Sequence, residues 1–370
     1  MYKQFNAHEF MNMQYLKTIS KTSVKLKHIF FSDGIIILFF FLIGGCAQKQ
    51  DANLPDELRL GFMPDFTHAQ AFVGIEKKQY KLNLKGIDFK PALYLTGASV
   101  MRALAQNELD IAFVDPLSAI ISHSRSDRNL IRVIGGVSSG GILFVVQREV
   151  TPGHMNDFKR KTIAIPEFNG SQHLAIKEYF SSEGLSRSLQ RGEIQFSPIS
   201  RDELLSTFSR HSVIGAWFPE PWASKLIVEG GGYTFINESS LWTKSIFAST
   251  LMVCRLEFLQ MYPEAVERFL KAHIKTTLWI RNHKDESLEI ISDGIEAVIG
   301  EKISKQVADK AFIRMVVTYD PVRPSIIKLA AMSKRHGLIS DKGIDDIFEF
   351  APIDSILSYK YLPPIKKIIN

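Results

Sequence analysis

Cysteine is scarce in this 370-residue chain, with only Cys46 and Cys254 present. Two thiols cannot supply a disulfide framework or a four-thiolate zinc site. No G-x-x-x-x-G-K-[ST], H-E-x-x-H or C-x-x-C occurs, and the ten histidines are scattered with no pair at ligand spacing. Nucleotide-phosphate and common zinc signatures are therefore missing, and neither a metal nor a cofactor is expected. Excess charge of one sign is lacking too. Lys and Arg total 45 against 39 Asp and Glu, and a net +6 over this length does not suggest nucleic acid. The apolar run Ile35–Ile43 has nine residues and would span only about 14 Å of helix, half a bilayer core. A stable transmembrane helix is not expected there. What the chain does have is 45% apolar side chains and 23% charged ones, the composition of a sequence that buries cores. At roughly 150 residues per domain, two folded units are expected.

Residues 1–45 hold five lysines against Glu9 and Asp33, which is half of the net charge. Lys17, Lys21, Lys25 and Lys27 precede the apolar run, and Gly44-Gly45-Cys46 follow it. A basic segment, a short apolar segment and small residues describe a secretory signal. The stretch Leu42-Ile43-Gly44-Gly45-Cys46 resembles the lipobox of bacterial lipoproteins, which implies that Cys46 is lipidated and begins the mature protein. Asp33 departs from that pattern, and so does the long basic segment unless translation starts at Met11 or Met13. Cys254 lies beside Leu251-Met252-Val253 and reads as a small core residue.

After the polar segment 47–56, strand and helix patterns alternate. Leu58 to Phe62 has period two, Ala69 to Glu76 has helical spacing, and Ile87 to Leu95 is a strand candidate. Ala98 to Gln106 follows as helix and Asp110 to Val114 as strand, stopped by Asp115-Pro116. Leu130 to Ile134 and Ile142 to Val146 are further strands, separated by the glycine- and serine-rich 135–141. A second series runs through strand Thr162–Ile165, helix Ser171–Ser181, strand Glu193–Phe196, helix Asp202–Phe208 and strand Val213–Phe218. From Tyr262 the chain is mostly helical, notably over 263–281 and 325–336. Alternation of this kind predicts an α/β protein of two similar lobes, each a mostly parallel sheet covered by helices.

Gly136-Val137-Ser138-Ser139-Gly140 satisfies the nucleophile-elbow pattern G-x-S-x-G, but that elbow needs a helix after it and Ile142–Val146 reads as strand. Two strand-to-helix junctions are more informative: Thr96-Gly97-Ala98-Ser99 and Asn169-Gly170-Ser171-Gln172-His173. Unpaired N–H groups at a helix start bind anions without needing a lysine, although Ser99 and Ser171 would also serve as simple caps. The third conspicuous segment is Gly215-Ala216-Trp217-Phe218-Pro219-Glu220-Pro221-Trp222-Ala223. There prolines stiffen a turn whose aromatics could wall a pocket or form an ordinary buried corner, while Glu220 could receive a cationic group or brace the loop.

The order of these segments resembles the periplasmic substrate-binding proteins of ABC importers for nitrate, sulfonates, taurine and bicarbonate, with relatives for thiamine precursors. The matching stretches are Leu60–Pro64 with Thr67-His68-Ala69, Ala103–Ala112, Gly135–Gly141, Lys161–Pro166, Gly170–His173, Ala216-Trp217, Pro219–Trp222 and Tyr262-Pro263-Glu264, covering most of 57–340. Asn107 and Lys77-Lys78-Gln79-Tyr80 depart from the family at helix ends, which affects loop shape.

The resemblance implies a two-lobed, type II binding-protein fold whose chain crosses between lobes twice, placed near Arg148 and Ser249. The expected organisation is a signal peptide at 1–45, a tether at 46–56, the first lobe at 57–148, the second at 149–248, and a return with C-terminal helices at 249–370. Carried over by position, the ligand cleft would take Phe66, Thr67, His68, Gly97, Ala98, Pro116, Ser138, Gly141, Ser171, Gln172, His173, Glu220 and Trp222. Ala98, Ser171 and Gln172 would hold an anionic headgroup, and Trp222 would pack on the remainder. The implied role is not enzymatic. It is a lipid-anchored extracytoplasmic receptor for a small anion, partnered by a membrane permease and an ATPase. A sensor reporting to a signalling partner, or a thiamine-pyrimidine-precursor protein or enzyme, are the alternatives.

Overall fold

The computed structural model describes residues 54–126, 129–340 and 343–365. The signal segment, Cys46 and the tether up to Asn53 lie outside the described residues. Strand β1 (Glu57–Phe62) turns Leu58, Leu60 and Phe62 inward, as alternate residues of a half-covered strand must. A 3-10 turn at Phe66–His68 leads to α1 (Ala69–Glu76) and α2 (Gln79–Asn83), followed by β2 (Asp88–Leu93). Next come α3 (Gly97–Ala105), β3 (Ile111–Val114), α4 (Pro116–Arg125) and β4 (Ile131–Gly140). Side chains set the starts of these helices. Thr96 accepts from Ser99 N at 3.2 Å, Asp115 accepts from Ser118 N at 3.1 Å, and Pro116 takes the first turn of α4.

The second series comprises β5 (Ile142–Val146), β6 (Lys161–Ile165), α5 (Ser171–Ser182), α6 (Ser186–Gln190), β7 (Ile194–Pro198), α7 (Arg201–Ser209), β8 (Gly215–Pro219), α8 (Trp222–Val228) and β9 (Tyr233–Asn237). The chain then returns through β10 (Ala248–Arg255), α9 (Leu256–Met261), α10 (Pro263–Asn282), α11 (Lys284–Ile299), α12 (Lys305–Ile313), β11 (Met315–Val317), α13 (Arg323–Arg335) and α14 (Ala351–Tyr359). One sheet has the order β11-β4-β10-β3-β1-β2, the other β7-β6-β8-β5-β9. The two-lobed α/β expectation therefore holds. Each sheet is mixed, and not mostly parallel as expected, since antiparallel pairs are at least as many as parallel ones. β1 runs parallel to β2 and β3, and β6 to β7 and β8, because helices carry the chain back between them. The strands next to the crossings, β4, β5 and β10, pair antiparallel with their neighbours.

The structure corrects the first crossing point. It lies at Gly140-Gly141 and not near Arg148, since β4 pairs in the first sheet while β5 already pairs in the second. Both glycines hold left-handed φ, +74° and +72°, which lets the strand turn from one sheet into the other. Residues 135–140 are also strand and not a loop. Their backbone groups are paired on one side by β10 and on the other by β11 at 138–140 and by Thr318 and Tyr319 at 137 and 136. The second crossing is the segment 238–247 between β9 and β10, just ahead of Ser249. Cys254 is fully buried on β10, where burial pushes its thiol far up.

Candidate ligand cleft

Residues just past the ends of the parallel strands of both sheets line one cleft, the usual place for a ligand in α/β architecture. Asp65, Thr67 and His68 follow β1, Leu95 follows β2, and Asp115 follows β3. From the other sheet come Pro166 and Glu167 after β6, Arg201 after β7, and Pro219 at the end of β8. Gln172 of α5, Ile142 of β5 and Ser249 and Thr250 of β10 complete the wall. The cleft opens to solvent, and the free space between these residues, open solvent at the mouth included, is about 400 Å³.

The lobes are held together across this space by polar contacts. Arg201 donates from Nε to Asp65 Oδ1 at 2.8 Å, from Nη2 to Oδ2 at 2.6 Å, and from Nη1 to the Leu95 carbonyl at 2.8 Å. The Glu167 carboxylate accepts from Gly97 N at 2.9 Å and from Ala98 N at 3.4 Å, so it caps the start of α3 from the opposite lobe. Ser171 Oγ donates to Asp115 Oδ1 at 2.7 Å and accepts from Leu117 N at 3.1 Å.

The titration of these groups follows from burial. Burial and the nearby Asp115 charge push Glu167 up to about 7, against the pull of the Gly97 and Ala98 N–H groups and Arg201. Burial alone would lower the Arg201 guanidinium, but the Asp65 charge and hydrogen bonds hold it above its ordinary value. His68 is driven down to about 4 by burial and is a neutral ring, with Nδ1 accepting from Met63 N at 3.3 Å.

Of the residues expected in the cleft, Thr67, His68 and Gln172 line it. Gly97, Ala98 and Ser171 stand at its two helix termini, bonded to Glu167 and Asp115 as described, and Pro116 directly follows Asp115. Gly141 is at the crossing, with its N–H on the Arg314 carbonyl at 2.8 Å. Ser138 and Ser249 share a buried Oγ–Oγ hydrogen bond of 2.9 Å. None of those six expected residues lines the space itself, and neither do the remaining four. Phe66 is fully buried behind it, its N–H donating to the Glu220 carbonyl at 2.9 Å. His173 accepts from Asn169 N at 3.0 Å and packs against Phe168 and Phe196. Glu220 accepts from Ser224 N and Oγ at 2.8 and 2.9 Å and pairs with Arg314, which makes it a brace beside the crossing. Trp222 sits behind the wall and donates from Nε1 to Asp65 at 2.7 Å.

The reading by motif missed Asp65, Asp115, Glu167, Arg201 and Thr250. A usable signal existed for the first four, since each follows a strand of the β/α series within three residues. Among the described residues, no group of three or more His, Cys, Asp and Glu side chains is placed to hold a metal ion.

Residues 51–292 match the model of the NMT1-like family. The chain belongs to that family. A putative aliphatic sulfonates-binding protein of Bacillus subtilis (strain 168) is 24% identical over 268 residues, covering 70% of this chain and 76% of the relative. The alkanesulfonate-binding protein SsuA of Xanthomonas axonopodis pv. citri, solved bound to MOPS, superposes with a TM-score of 0.67. It is 14% identical and covers 81% of this chain and all of its own. The nitrate-binding protein NrtA of Synechocystis PCC 6803 superposes with a TM-score of 0.67 at 13% identity, covering 83% of this chain and 90% of its own. At those identities the likeness is one of fold. All three relatives are named as binding proteins, not enzymes, and this NMT1-like chain has their two-lobed architecture.

Proposed function

We propose that this protein is the lipid-anchored, extracytoplasmic substrate-binding component of an ABC importer. It takes a small anion of the sulfonate, nitrate or taurine kind between its lobes and delivers it to a permease and ATPase. The observation that carries the reading is Glu167. Its carboxylate reaches across the cleft to the first N–H groups of α3, where the oxyanion of a ligand would take its place. Ser171 and Gln172 stand at the second helix terminus on the facing lobe, and closure would pivot at the left-handed Gly140-Gly141 crossing. The Bacillus and Xanthomonas relatives, named for sulfonates, and the Synechocystis protein, named for nitrate, support the same ligand class.

Ligand-induced stabilisation tests the reading. Alkanesulfonates, nitrate and taurine at 100 times Kd would add about 2.7 kcal/mol to stability and raise Tm by several degrees. If only compounds without an anionic group raise it, the anion assignment is lost. Ser171→Asp places a second carboxylate against Asp115 and is expected to abolish anion binding. At the N-terminus, lipidated Cys46 would keep the receptor beside its permease. Cys46→Ala should therefore move the protein from the membrane fraction to the soluble one, and an unchanged membrane fraction rules the anchor out.

A further inference from the structure

The cleft holds more negative charge than positive. Asp65, His68, Asp115, Glu167 and Arg201 are the ionisable residues that line it. Two hydrogen bonds commit Arg201 to Asp65, and burial keeps His68 a neutral ring. Asp115 accepts from Ser171 Oγ and Ser118 N, and Glu167 from Gly97 N and Ala98 N. Neither carboxylate has a cation bonded to it among the described residues. On α5, His173 adds no charge either, since burial, Lys177 and His336 hold its ring near 4.

The two carboxylates meet at one residue. Glu167 accepts the Gly97 N–H at 2.9 Å, and a Cβ built on Gly97 would stand 2.3 Å from Asp115 Oδ2. An oxyanion seated on the Gly97 and Ala98 N–H groups therefore arrives where one carboxylate sits and another is in contact. The Glu167 stem packs on its own loop, where a Cβ on Gly170 would be 2.8 Å from Glu167 Cγ. Its carboxyl is thereby kept beside the start of α3. Burial and a like charge both disfavour an ionised carboxyl. Both already act on Glu167 and hold it near 7, against its N–H partners and the Arg201 charge. An incoming anion adds to the repulsion and takes away the N–H bonds that favour the carboxylate.

We propose that the anion is captured together with a proton, which Glu167 takes up from solvent. The proton turns Glu167 from a competitor for the α3 N–H groups into a donor, because a neutral carboxyl carries one O–H that an anion can accept. This rests on the cleft being the anion site proposed above, and adds that capture is favoured on the acid side of neutrality. Binding that requires a protonated Glu167 weakens as pH rises through 7, by about tenfold for each further unit.

Titration calorimetry of the purified protein with nitrate, methanesulfonate and propane-1-sulfonate tests this, since each probe keeps a single charge from pH 6 to pH 9. Buffers that carry a sulfonate are left out because they would compete. Affinity should fall about 100-fold between pH 6 and pH 9. Near pH 8.5, in weakly buffered solution, each bound anion should remove about one proton, read with a pH electrode. Glu167→Gln keeps the size of the side chain and cannot ionise. Its affinity should vary less than about threefold over the range and exceed the parent's at pH 9 by about tenfold or more, a gain that misfolding cannot mimic. Equal affinities at pH 6 and pH 9 without proton uptake overturn the proposal and leave the anion importer standing. So does a Glu167→Gln variant that keeps the parent's pH slope. Binding of none of the three anions at pH 6 overturns both.

Discussion

Glu238 accepts the indole N–H of Trp217 at 2.7 Å and that of Trp242 at 3.3 Å, fully enclosed, and burial pushes its carboxyl up to about 7. A carboxyl whose folded pKa lies above its ordinary value near 4.5 contributes stability that is present below that value and is lost as pH rises through 7. His68 and His273 act in the opposite sense. Burial holds both near 4, so their contribution is present above about 6.5 and is lost as pH falls toward 4. Between pH 4.5 and 6.5 the two kinds of group offset each other. Glu238→Gln keeps an acceptor for one indole and removes the titration. Compared with the parent, the variant should gain roughly 2–3 kcal/mol in relative stability between pH 5 and pH 8. Parallel urea midpoints for the two proteins across that range would show that folding does not raise the Glu238 carboxyl. None of this was legible in the sequence. The segment 215–223 announced its aromatics, but the acid that Trp217 binds comes 21 residues later and belongs to no motif.

Elements were more legible than side chains. The helices expected over 171–181, 263–281 and 325–336 occur at Ser171–Ser182, Pro263–Asn282 and Arg323–Arg335, because apolar spacing at 3.6 residues records burial on one face. The segment 135–141 misled for a physical reason. Glycine signals a loop when only local conformation is weighed, but here it admits a neighbouring backbone. A Cβ on Gly136 would stand 2.1 Å from the Asp320 carbonyl oxygen, and that backbone cannot swing aside as a side chain can. Gly136→Ala should cost about 3 kcal/mol or more and disturb the pairing of β4 with the segment after β11. Gly86 provides the contrast, with φ +83° and nothing within 4 Å of a built Cβ. Gly86→Ala should cost only about 1–2 kcal/mol, the strain of a left-handed alanine. Denaturant midpoints will separate the two, and equal losses would mean that conformation and not close approach explains both.

At the scale of the molecule, the contacts that matter join residues far apart in sequence, which is why no local pattern revealed them. Asp65 and Arg201 are 136 positions apart, and Gly97 and Glu167 are 70. Such pairs exist only when the lobes are together, so in the opening and closing proposed above each would favour the closed form. They are not of equal weight. The Arg201 and Asp65 side chains are 9% and 3% exposed. On the outer flank, Glu178 of α5 meets Arg335, the last residue of α13, and His336 just after it, with Glu178 31% and Arg335 58% exposed. An exposed pair of that kind is worth about 0–1 kcal/mol, whereas removing one partner of a buried pair costs about 3–5 kcal/mol. Opening the lobes would let water reach Asp65, so a closed form deprived of Arg201 gives way to the open one. Arg201→Met should therefore enlarge the radius of gyration of the ligand-free protein in X-ray scattering. At about 3 kcal/mol the shift in the closed-to-open ratio is roughly 150-fold, enough to reverse a closed majority. Glu178→Ala should change the ratio less than about fivefold and leave the scattering curve nearly unaltered. Should Arg201→Met scatter like its parent while Glu178→Ala expands, closure is governed from the flank, and the buried pair merely orders the cleft wall.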